Sequence, residues 1–423
     1  MLNLEEVKVS GYERVAHATD QETGLNAFIA VHNSAVGKAT GGQGVSLGGI
    51  RMRPYTEPNQ LELADEIKQL SGFTEPELFG LQDVVRLSRG MTYKSAIAKT
   101  GLGGGKAVVI ANPKDYPLGS PQREKLMESM GEAIHEFATR WPESIYVGAE
   151  DMNTKLADMK IIAGKTAHIS GTGHDQFDGN PSPFTAEGVL AAIKGAVGDD
   201  LKGKRVAISG IGSVGGYLAD MLHREGAVLT LADIDDKATN KAAELGSNTS
   251  VVPSGEIHKQ QVDVYVPAAI GGVLNDITIP DIQAKFIVPV ANNVLAEARH
   301  GKILHDKGIV YVPDYVANAG GIIAVGMEVG HKREGKSLTG QEISDTVTSK
   351  VGAAVKSVLK KSRDENIPTS EAADMVGDEI IAAAQQDAAQ KGTSWAERSG
   401  KTLQQGLPIK RASGDGTNDL QRL

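Results

Sequence analysis

The stretch from Arg205 to Asp233 constrains the fold more than any other part of the chain. A short β-rich run (RVAIS) precedes the glycine pattern GIGSVG, a helix-like segment follows, and a second β-rich run (VLTLA) leads into Asp233. In this context the glycines permit a tight turn, close approach of the backbone to a pyrophosphate, and packing of the helix on the strand. The segment therefore predicts a parallel βαβ unit that binds a dinucleotide. A structural turn without a cofactor is the alternative.

The predicted cofactor contacts lie within this unit. The N-terminus of the helix offers free N–H groups to the phosphates. Asp233, 23 residues after Gly210, can accept hydrogen bonds from the adenosine ribose and opposes a 2′-phosphate, which favours NAD over NADP. The candidate cofactor-binding residues of the turn are Gly210, Gly212, Ser213, Val214 and Gly215.

The remaining pattern predicts an α/β protein of two domains. After a turn-rich stretch from Gly171 to Pro183, β-rich runs alternate with helical patterns, which is typical of a parallel sheet covered by helices on both faces. We expect an N-terminal mixed α/β substrate domain and a Rossmann dinucleotide-binding domain, with C-terminal helices packing back on the first domain. The expected boundaries are residues 1–180 for the substrate-binding and catalytic domain, 181–330 for the Rossmann domain, 331–391 for the C-terminal helices and 392–423 for a flexible tail.

Composition excludes several classes of function. The 423 residues include no cysteine, which excludes disulfides, thiolate metal sites and cysteine nucleophiles, and we predict no metal site. A net charge of -9 without a strongly basic block argues against nucleic acids and anionic membranes as partners. No apolar run reaches the length of a membrane span, and the N-terminus lacks a signal-peptide pattern, so the expected location is the cytoplasm.

Two lysines and a carboxylate in the first half are candidates for acid–base chemistry. Lys94 ends the run RGMTYK, and Lys106 ends GLGGGK before an apolar strand. The second run is not a phosphate-binding loop, which would need glycine at Thr100 and a hydroxyl at Ala107. Burial among glycines and a second ammonium nearby disfavour the charged form of such a lysine, which can then act as a general base; a solvated surface lysine is the alternative. Asp151 follows a predicted strand as a candidate proton carrier, or else as a turn residue.

Together these motifs resemble the superfamily of glutamate, leucine, phenylalanine and valine dehydrogenases, most closely its leucine/phenylalanine/valine branch. The resemblance runs from about Tyr12 to Ala384. It rests on LGGIRMRPY, RLSRGMTYK, GLGGGKAVVI, GAEDMNT, GNPSPFTAEGV, GIGSVGGYLA, ANNVL and PDYVANAGGII, which occur in the family's order. It implies a homo-oligomeric enzyme that uses NAD to deaminate an L-amino acid reversibly to a 2-oxo acid and ammonia.

The resemblance also implies a role for each matched residue of the substrate site. Lys106 would be the catalytic base, and Asp151 would relay protons to and from the amino group. Lys94 would bind the α-carboxylate of the substrate, and Gly49 would help form the carboxylate pocket. Asn318 would lie near both the nicotinamide and the substrate.

Thr185 and Asn292 complete the expected cofactor site. Thr185 would lie near the nicotinamide amide, and Asn292 belongs to the ANN motif beside the nicotinamide ribose. The chain departs from the family beside Asn292, where Pro289-Val290 replaces Gly-Ser or Gly-Ala. It also carries longer segments than the branch usually has at Gly37–Gly49 and Pro58–Val85.

Leu47 indicates the class of substrate. Glutamate-specific relatives carry a lysine here, where it pairs with the side-chain carboxylate of the substrate. A leucine cannot compensate a buried carboxylate, so the resemblance implies a branched-chain or aromatic amino acid. We expect Ala149 and Val351 to line the same pocket. The departures above leave an alternative, namely a catalytically weakened relative that serves as an NAD-responsive binding or assembly module.

Overall fold

The computed structural model describes residues 1–39, 44–56 and 63–390. Contacts divide these residues into two compact units. The first unit comprises Met1–Gly179, Val325–Leu338 and the described residues from Gly377 onward, and the second comprises Asn180–Ala324 and Thr339–Val376. The predicted tail, residues 392–423, lies outside the described residues, as do parts of the two long segments.

A mixed β-sheet forms the centre of the first unit. Its described strands are β1 (Asn3–Glu6), β2 (Arg14–Asp20), β3 (Leu25–Asn33), β4 (Ser46–Arg53), β5 (Gly103–Ile110) and β6 (Tyr146–Glu150). They follow the order β1-β2-β3-β5-β4-β6, in which β4 runs parallel to β5 and β6 while β3 is antiparallel to β2 and β5. The carboxyl ends of β4, β5 and β6 therefore share one edge of the sheet, where polar side chains from three segments can meet.

Helices pack on both faces of this sheet because successive strand residues point in opposite directions. The described helices of this part of the chain are α1 (Ala35–Ala39), α2 (Asp65–Lys68), α3 (Glu75–Ile97), α4 (Pro121–Arg140) and α5 (Leu156–Ala163). Phe28 of β3 belongs to a core cluster with Leu81 of α3, whereas its neighbour Ile29 belongs to a cluster with Ile134 of α4. The N-terminal domain is thus mixed α/β, as predicted.

Helix α3 begins at a capping box, in which the carboxylate of Glu77 accepts a hydrogen bond from the backbone N–H of Thr74 at 2.6 Å. The helix uses part of the segment Pro58–Val85 that we regarded only as unusually long. Lys94 lies in its last turn. A single rigid element therefore connects this segment to one of the candidate substrate-binding residues.

A parallel sheet forms the centre of the second unit. Its described strands are β7 (Arg205–Ser209), β8 (Val228–Ala232), β9 (Thr249–Val251), β10 (Val264–Pro267), β11 (Phe286–Ile287) and β12 (Val310–Tyr311). Their order is β12-β11-β10-β7-β8-β9, and each paired strand is parallel to its neighbour. This is the doubly wound Rossmann order, whose direction of winding reverses between β7 and β10. The predicted fold class is confirmed.

The remaining helices follow or connect these strands. They are α6 (Ser182–Val197), α7 (Ser213–Arg224), α8 (Lys237–Leu245), α9 (Arg299–Asp306), α10 (Asp314–Ala317), α11 (Gly320–Glu334), α12 (Gly340–Glu365) and α13 (Thr369–Gln390), with 3₁₀ helices at Ser254–Lys259 and Ile279–Asp281. Among the helices of the described ranges, none combines the length and apolar character needed to cross a membrane.

The contacts divide the C-terminal helices between the two units. Thr339–Val376, including α12, belongs to the second unit, and the described residues from Gly377 onward belong to the first. The expected packing of residues 331–391 on the first domain stays a prediction. Val347 and Val355 of α12 lie over glycines of α6, where a Cβ atom on Gly188 or Gly195 would be 3.5 Å or 3.3 Å from a valine methyl group. A row of valines thus packs against small residues, and this match holds α12 against α6.

A buried carboxylate holds the turn-rich stretch that begins at Gly171. Glu328 of α11 is 0% exposed and accepts hydrogen bonds from the backbone N–H groups of Gly171, Thr172 and Gly173 at 2.9, 3.2 and 3.0 Å. Lys332, one helical turn later, donates to the same carboxylate at 2.6 Å. The predicted loop is therefore a fixed element of the first unit, ending near Gly179 where the contacts divide the chain.

Candidate active site and cofactor-binding site

Lys106 and Asp151 form an ion pair in the first unit. The ammonium nitrogen of Lys106 lies 2.7 Å from Oδ2 of Asp151. The lysine side chain on β5 is 6% exposed, and the carboxylate, which follows the last residue of β6, is 26% exposed. A nearly dry amine thus meets a carboxylate that solvent still reaches, which is the geometry expected of a pair that exchanges protons with a small substrate.

Arg51 of β4 also binds Asp151, with its Nε 3.2 Å from the same Oδ2 atom. Burial opposes ionisation of Asp151, but the neighbouring cations of Lys106 and Arg51 outweigh it and hold the pKa of this carboxyl below its ordinary value. Asp151 is therefore an ionised group at neutral pH in the described state. Reasoning from the sequence weighed glycines and a second ammonium around Lys106, and it did not anticipate a carboxylate at this distance.

The turn that follows β6 fixes the backbone of Asp151. The hydroxyl of Thr154 accepts from the backbone N–H of Asp151 at 3.0 Å and donates to the carbonyl of Ile50 at 2.8 Å. Asn153, which has φ of 62°, donates from its side-chain amide to the carbonyl of Met52 at 3.0 Å. These bonds join the turn to β4 and so fix Asp151 relative to Arg51.

The glycines before Lys106 allow helix α3 to approach β5. A Cβ atom on Gly104 would lie 2.1 Å from Oγ1 of Thr92 and 2.3 Å from its backbone nitrogen. Any side chain at this position would push away the helix that carries Lys94 two residues later. The glycine-rich run thus serves close packing between the two segments that bear the candidate lysines. Lys94 itself is half-buried.

Three of the four predicted pocket residues share adjacent strands. Leu47 of β4 is paired in register with Val147 of β6, and Gly49 with Ala149. Leu47 is 2% exposed, and a Cβ atom on Gly49 would lie 2.4 Å from Cβ of Asp151. Val351, the fourth, is fully buried on α12 within the second unit, so its side chain is part of a packed core there. The expected place of Val351 in the same pocket stays a prediction.

The glycine-rich turn of the second unit has the shape of a phosphate-binding turn. Gly210 has φ of 106°, a conformation that L-residues rarely adopt, and a Cβ atom on Gly215 would lie 2.1 Å from the carbonyl oxygen of Gly210. The space around Gly212 is open, with nothing within 4 Å of a Cβ atom. Gly212 also precedes α7 without a side-chain cap, so the first N–H groups of the helix are directed at this open space. Ser213 and Val214 form the first turn of α7.

Asp233 follows β8 at the edge of this turn. Its Oδ2 accepts from the backbone N–H of Ile211 at 2.6 Å, and its Oδ1 accepts from the N–H of Ile234 at 2.8 Å. A carboxylate has further lone pairs for hydroxyl donors, and these bonds orient it at the turn. Open glycine backbone, an uncapped helix and an oriented carboxylate together fit the pyrophosphate and ribose of a dinucleotide.

Asn318 and Asn292 lie together in the second unit. The side-chain amide of Asn318 donates to Oδ1 of Asn292 at 2.7 Å and to the carbonyl of Val290 at 3.0 Å. The backbone of Val290 thus contributes to holding Asn318. The hydroxyl of Thr185, at the start of α6, would lie 2.6 Å from a Cβ atom on Gly321. Helix α6, which bears Thr185, and helix α11, which follows Asn318, therefore approach each other closely.

One group of possible metal ligands occurs in the described residues. Asp276, Glu297 and His300 bring ligand atoms within 4.8 Å of one another. Arg299 donates to both carboxylates, through Nη1 to Asp276 at 2.7 Å and through Nε to Glu297 at 2.8 Å. Nδ1 of His300 also accepts from the backbone N–H of Glu297. A permanent cation and the backbone thus already satisfy this group, which joins the loop after β10 to the start of α9.

Two regions of the chain match profiles of one protein family. Residues 12–168 match the profile described as the Glu/Leu/Phe/Val dehydrogenase dimerisation domain. Residues 229–389 match the profile described as glutamate/leucine/phenylalanine/valine dehydrogenase. The chain belongs to the glutamate/leucine/phenylalanine/valine dehydrogenase family. The predicted resemblance is confirmed.

Individual members of this dehydrogenase family are similar along most of the chain. Leucine dehydrogenase of Geobacillus stearothermophilus is 38% identical over 377 residues, which cover 88% of this chain and 90% of that protein. Phenylalanine dehydrogenase of Lysinibacillus sphaericus is 36% identical over 351 residues, covering 79% and 82%. The crystal structure of L-tryptophan dehydrogenase from Nostoc punctiforme matches with a TM-score of 0.70 and 30% identity, covering 89% of this chain and 97% of that one. Family membership thus makes the chain an oxidoreductase of the amino-acid dehydrogenase class with a nicotinamide cofactor.

Arg51 and its partner Asp83 were not among the residues predicted from the sequence. Arg51 lies within the motif LGGIRMRPY, which we used only for Leu47 and Gly49. Asp83 lies on α3 and accepts from Nη1 of Arg51 at 3.0 Å. Arg51 could have been identified from the sequence, because it is an arginine two residues after a glycine in an otherwise apolar run. Nothing local in the sequence distinguishes Asp83 from surface carboxylates.

Proposed function

We propose that the chain is an NAD-dependent L-amino-acid dehydrogenase that reversibly deaminates an apolar amino acid to its 2-oxo acid and ammonia. The observation that carries this proposal is the 2.7 Å contact between Lys106 Nζ and Asp151 Oδ2. The pair lies where β6 ends, at the level of the middle of β5. A buried amine paired with a partly exposed carboxylate suits repeated proton transfer at one carbon–nitrogen centre.

In the proposed reaction, the ammonium group of the amino acid first loses a proton to the Lys106–Asp151 pair. The Cα–H bond then breaks with both electrons, and the bound NAD supplies the hydride acceptor. Lys106 next removes a proton from the water that adds to the resulting imine. The pair finally gives a proton to the departing nitrogen and accepts the hydroxyl proton as the C=O bond forms. Ammonia leaves, and the two protons gained over the cycle pass to solvent. Lys94 is proposed to hold the α-carboxylate, so that the amino group faces the pair.

The surroundings of Asp233 support NAD rather than NADP. Asp233, Asp235 and Asp236 place carboxylates at the end of β8 and the start of the next segment. Lys237 is the nearest cation in sequence, and its ammonium pairs with Asp235 at 2.9 Å. A 2′-phosphate would meet uncompensated negative charge here, whereas ribose hydroxyls can donate to Asp233. We therefore expect weaker binding of NADPH than of NADH in a fluorescence titration.

Leu47 supports an apolar side chain on the substrate. It is 2% exposed between β5 and β6, and it offers no charge to a carboxylate. Burying an unpaired carboxylate beside it would cost several kcal/mol, on the order of 3 or more. We expect leucine, valine, phenylalanine or tryptophan to be oxidised well and glutamate poorly.

We also propose a homo-oligomer, which is supported by the description of the matched N-terminal profile as a dimerisation domain. Light scattering of the purified chain tests this proposal.

The experiment is a panel of amino acids with NAD, followed by NADH absorbance at 340 nm. Lys106→Ala should fold and bind NADH while losing turnover by orders of magnitude, because the pair loses its base. Lys114→Ala is the matched control, since Lys114 is an exposed lysine just beyond the same strand. Near-normal kcat in Lys106→Ala would refute the assigned role. Binding of NADH by the wild type without turnover of any amino acid would instead favour the NAD-responsive binding module.

A further inference from the structure

We infer that Arg51, held in place by Asp83, is a positioning residue that fixes both the location and the charge of Asp151. The inference rests on the proposed function, since it concerns how the Lys106–Asp151 pair is prepared for proton transfer. Arg51 is not one of the residues that the family motifs assigned. Its role follows from its contacts with Asp151 and Asp83 and from the surroundings of these two carboxylates within the first unit.

The guanidinium of Arg51 connects two carboxylates. Nε lies 3.2 Å from Oδ2 of Asp151, and Nη1 lies 3.0 Å from Oδ2 of Asp83. The arginine side chain is 13% exposed, so water screens these contacts poorly. A planar guanidinium that binds at two of its nitrogens cannot rotate without losing one of the contacts. The carboxylate of Asp151 is therefore held against β4 on one side and against Lys106 on the other.

Asp83 in turn is anchored on helix α3. Its side chain is 2% exposed, and its Oδ2 also accepts a hydrogen bond from the hydroxyl of Tyr55 at 2.5 Å. Arg86, one turn later, lies 3.8 Å from its other oxygen. Burial and the negative charge of Asp83 raise the pKa of Tyr55 well above its ordinary value, so the phenol stays protonated and continues to donate. Asp83 is thus a fixed buried anion that orients Arg51.

The charge of Arg51 has a consequence that Lys106 cannot supply. A lysine must be neutral at the moment it acts as a base, and it then no longer stabilises the negative charge of Asp151. Arginine stays protonated throughout the accessible pH range. Arg51 therefore keeps Asp151 ionised when Lys106 is neutral.

Among the described residues, the charged side chains that contact Asp151 are both cations. Lys106 on β5 and Arg51 on β4 are the cations, and the hydroxyl of Thr154 binds the backbone of the turn. Tyr146 on β6 is buried with a pKa far above its ordinary value, so it contributes no charge. Asp83 on α3 lies beyond Arg51 and is the second carboxylate that Arg51 binds. Removal of Arg51 thus raises the proton affinity of the pair, while removal of Asp83 lowers it.

The test compares the pH profile of kcat in Arg51→Gln, Arg51→Lys and Asp83→Asn, using the best amino acid of the panel. The acidic limb is the part of the profile in which kcat rises with pH. In Arg51→Gln this limb should move to higher pH by about one unit, and kcat at neutral pH should fall about 10- to 100-fold. Arg51→Lys keeps the charge but not the two-pronged geometry, so kcat should fall with the acidic limb nearly unchanged. In Asp83→Asn the limb should not move upward. Arg53→Gln, on the same strand, is the matched control and should leave the limb unchanged.

A second measurement keeps the inference independent of turnover and of folding losses. Lys106 is labelled with acetic anhydride at a series of pH values, and the labelled fraction is measured by peptide mass spectrometry. The pH of half-maximal labelling should also be higher in Arg51→Gln than in the wild type. The double variant Arg51→Gln/Asp83→Asn removes the buried carboxylate that the single variant leaves without its arginine. It should show a smaller upward shift than Arg51→Gln, because the loss of the more distant Asp83 acts in the opposite direction. An unshifted acidic limb and unshifted labelling in the Arg51→Gln variants would overturn the inference. If neither quantity shifts but the wild type is active, the proposed function remains intact. If the wild type oxidises no amino acid but labelling shifts in Arg51→Gln as stated, only the proposed function is refuted.

Discussion

Replacing Gly49 with alanine tests whether the position of Asp151 limits turnover. The added Cβ atom would lie 2.4 Å from Cβ of Asp151 and 3.1 Å from its Cγ. Ordinary contact begins at 3.4 Å, so the overlap with Cβ is about 1 Å. Because Cβ is not the mobile end of a side chain, the clash has to be relieved by moving Asp151 itself. The ion pair with Lys106 and the contact with Arg51 are then both displaced.

The expected effect follows from that displacement. A shift of about 1 Å in a reacting group costs roughly 100-fold in rate, which corresponds to about 2.7 kcal/mol of transition-state stabilisation. The dissociation constant for NADH should stay at the wild-type value, because the candidate cofactor residues lie in the second unit. Steady-state kcat at 340 nm and a fluorescence titration with NADH measure the two quantities. A circular dichroism melt checks that the variant is folded.

Gly90→Ala is the matched control for Gly49→Ala. Gly90 lies on α3, one turn before Lys94, and nothing is within 4 Å of a Cβ atom there. Alanine at this exposed helical position should leave kcat unchanged and raise the free energy of unfolding by up to about 1 kcal/mol. If folded Gly49→Ala turns over as fast as Gly90→Ala, the claim that Asp151 must stay within 1 Å of its position is refuted.

Two further predictions concern stability. Glu328→Gln should lower the free energy of unfolding by about 3 kcal/mol in urea titrations, because a buried carboxylate that accepts three backbone N–H groups loses charge and one acceptor; an unchanged midpoint would contradict the assigned anchoring role. Burial, with a smaller effect of Arg89, lowers the pKa of His32 to about 3, so its stabilising effect is complete above the unfolded-state value of 6.5 and is lost as pH falls towards 3. The wild type should therefore lose about 2 kcal/mol between pH 7 and pH 5 that His32→Asn does not lose, and equal losses in both would exclude His32 as the cause.

The second unit was more predictable from sequence than the first. The strands β7 and β8 occur at the predicted residues, since each is a short β-rich run bounded by glycine or charge. Strand β4 was not predicted, because it contains two glycines that strands ordinarily avoid. A Cβ atom on Gly48 would lie 1.7 Å from the carbonyl oxygen of Gly105, so the glycine is required by a neighbouring strand. That requirement is invisible in the local sequence.

Helix α3 was missed for a related reason. It is 23 residues long, but it contains Gly80 and Gly90, and its buried residues do not follow one narrow stripe. Its neighbours explain this, since a Cβ atom on Gly80 would lie 2.8 Å from a methyl group of Ile110. A helix that is buried on several faces loses the simple periodicity on which sequence-based prediction depends.

The adjacent carboxylates Glu150 and Asp151 show why the electrostatics of the site required the fold. Successive residues at the end of a strand point to opposite sides, so only one of the two can face Lys106. The pairing of Ile50 with both Glu150 and Ala107 decides which one, and a slip of one residue would exchange them. In this register Glu150 is directed at Lys155, 3.7 Å away at the surface, while Asp151 reaches Lys106 and Arg51. The motif supplies two similar acids, and the strand register together with the following turn places one of them beside Lys106 and Arg51, which lower its pKa.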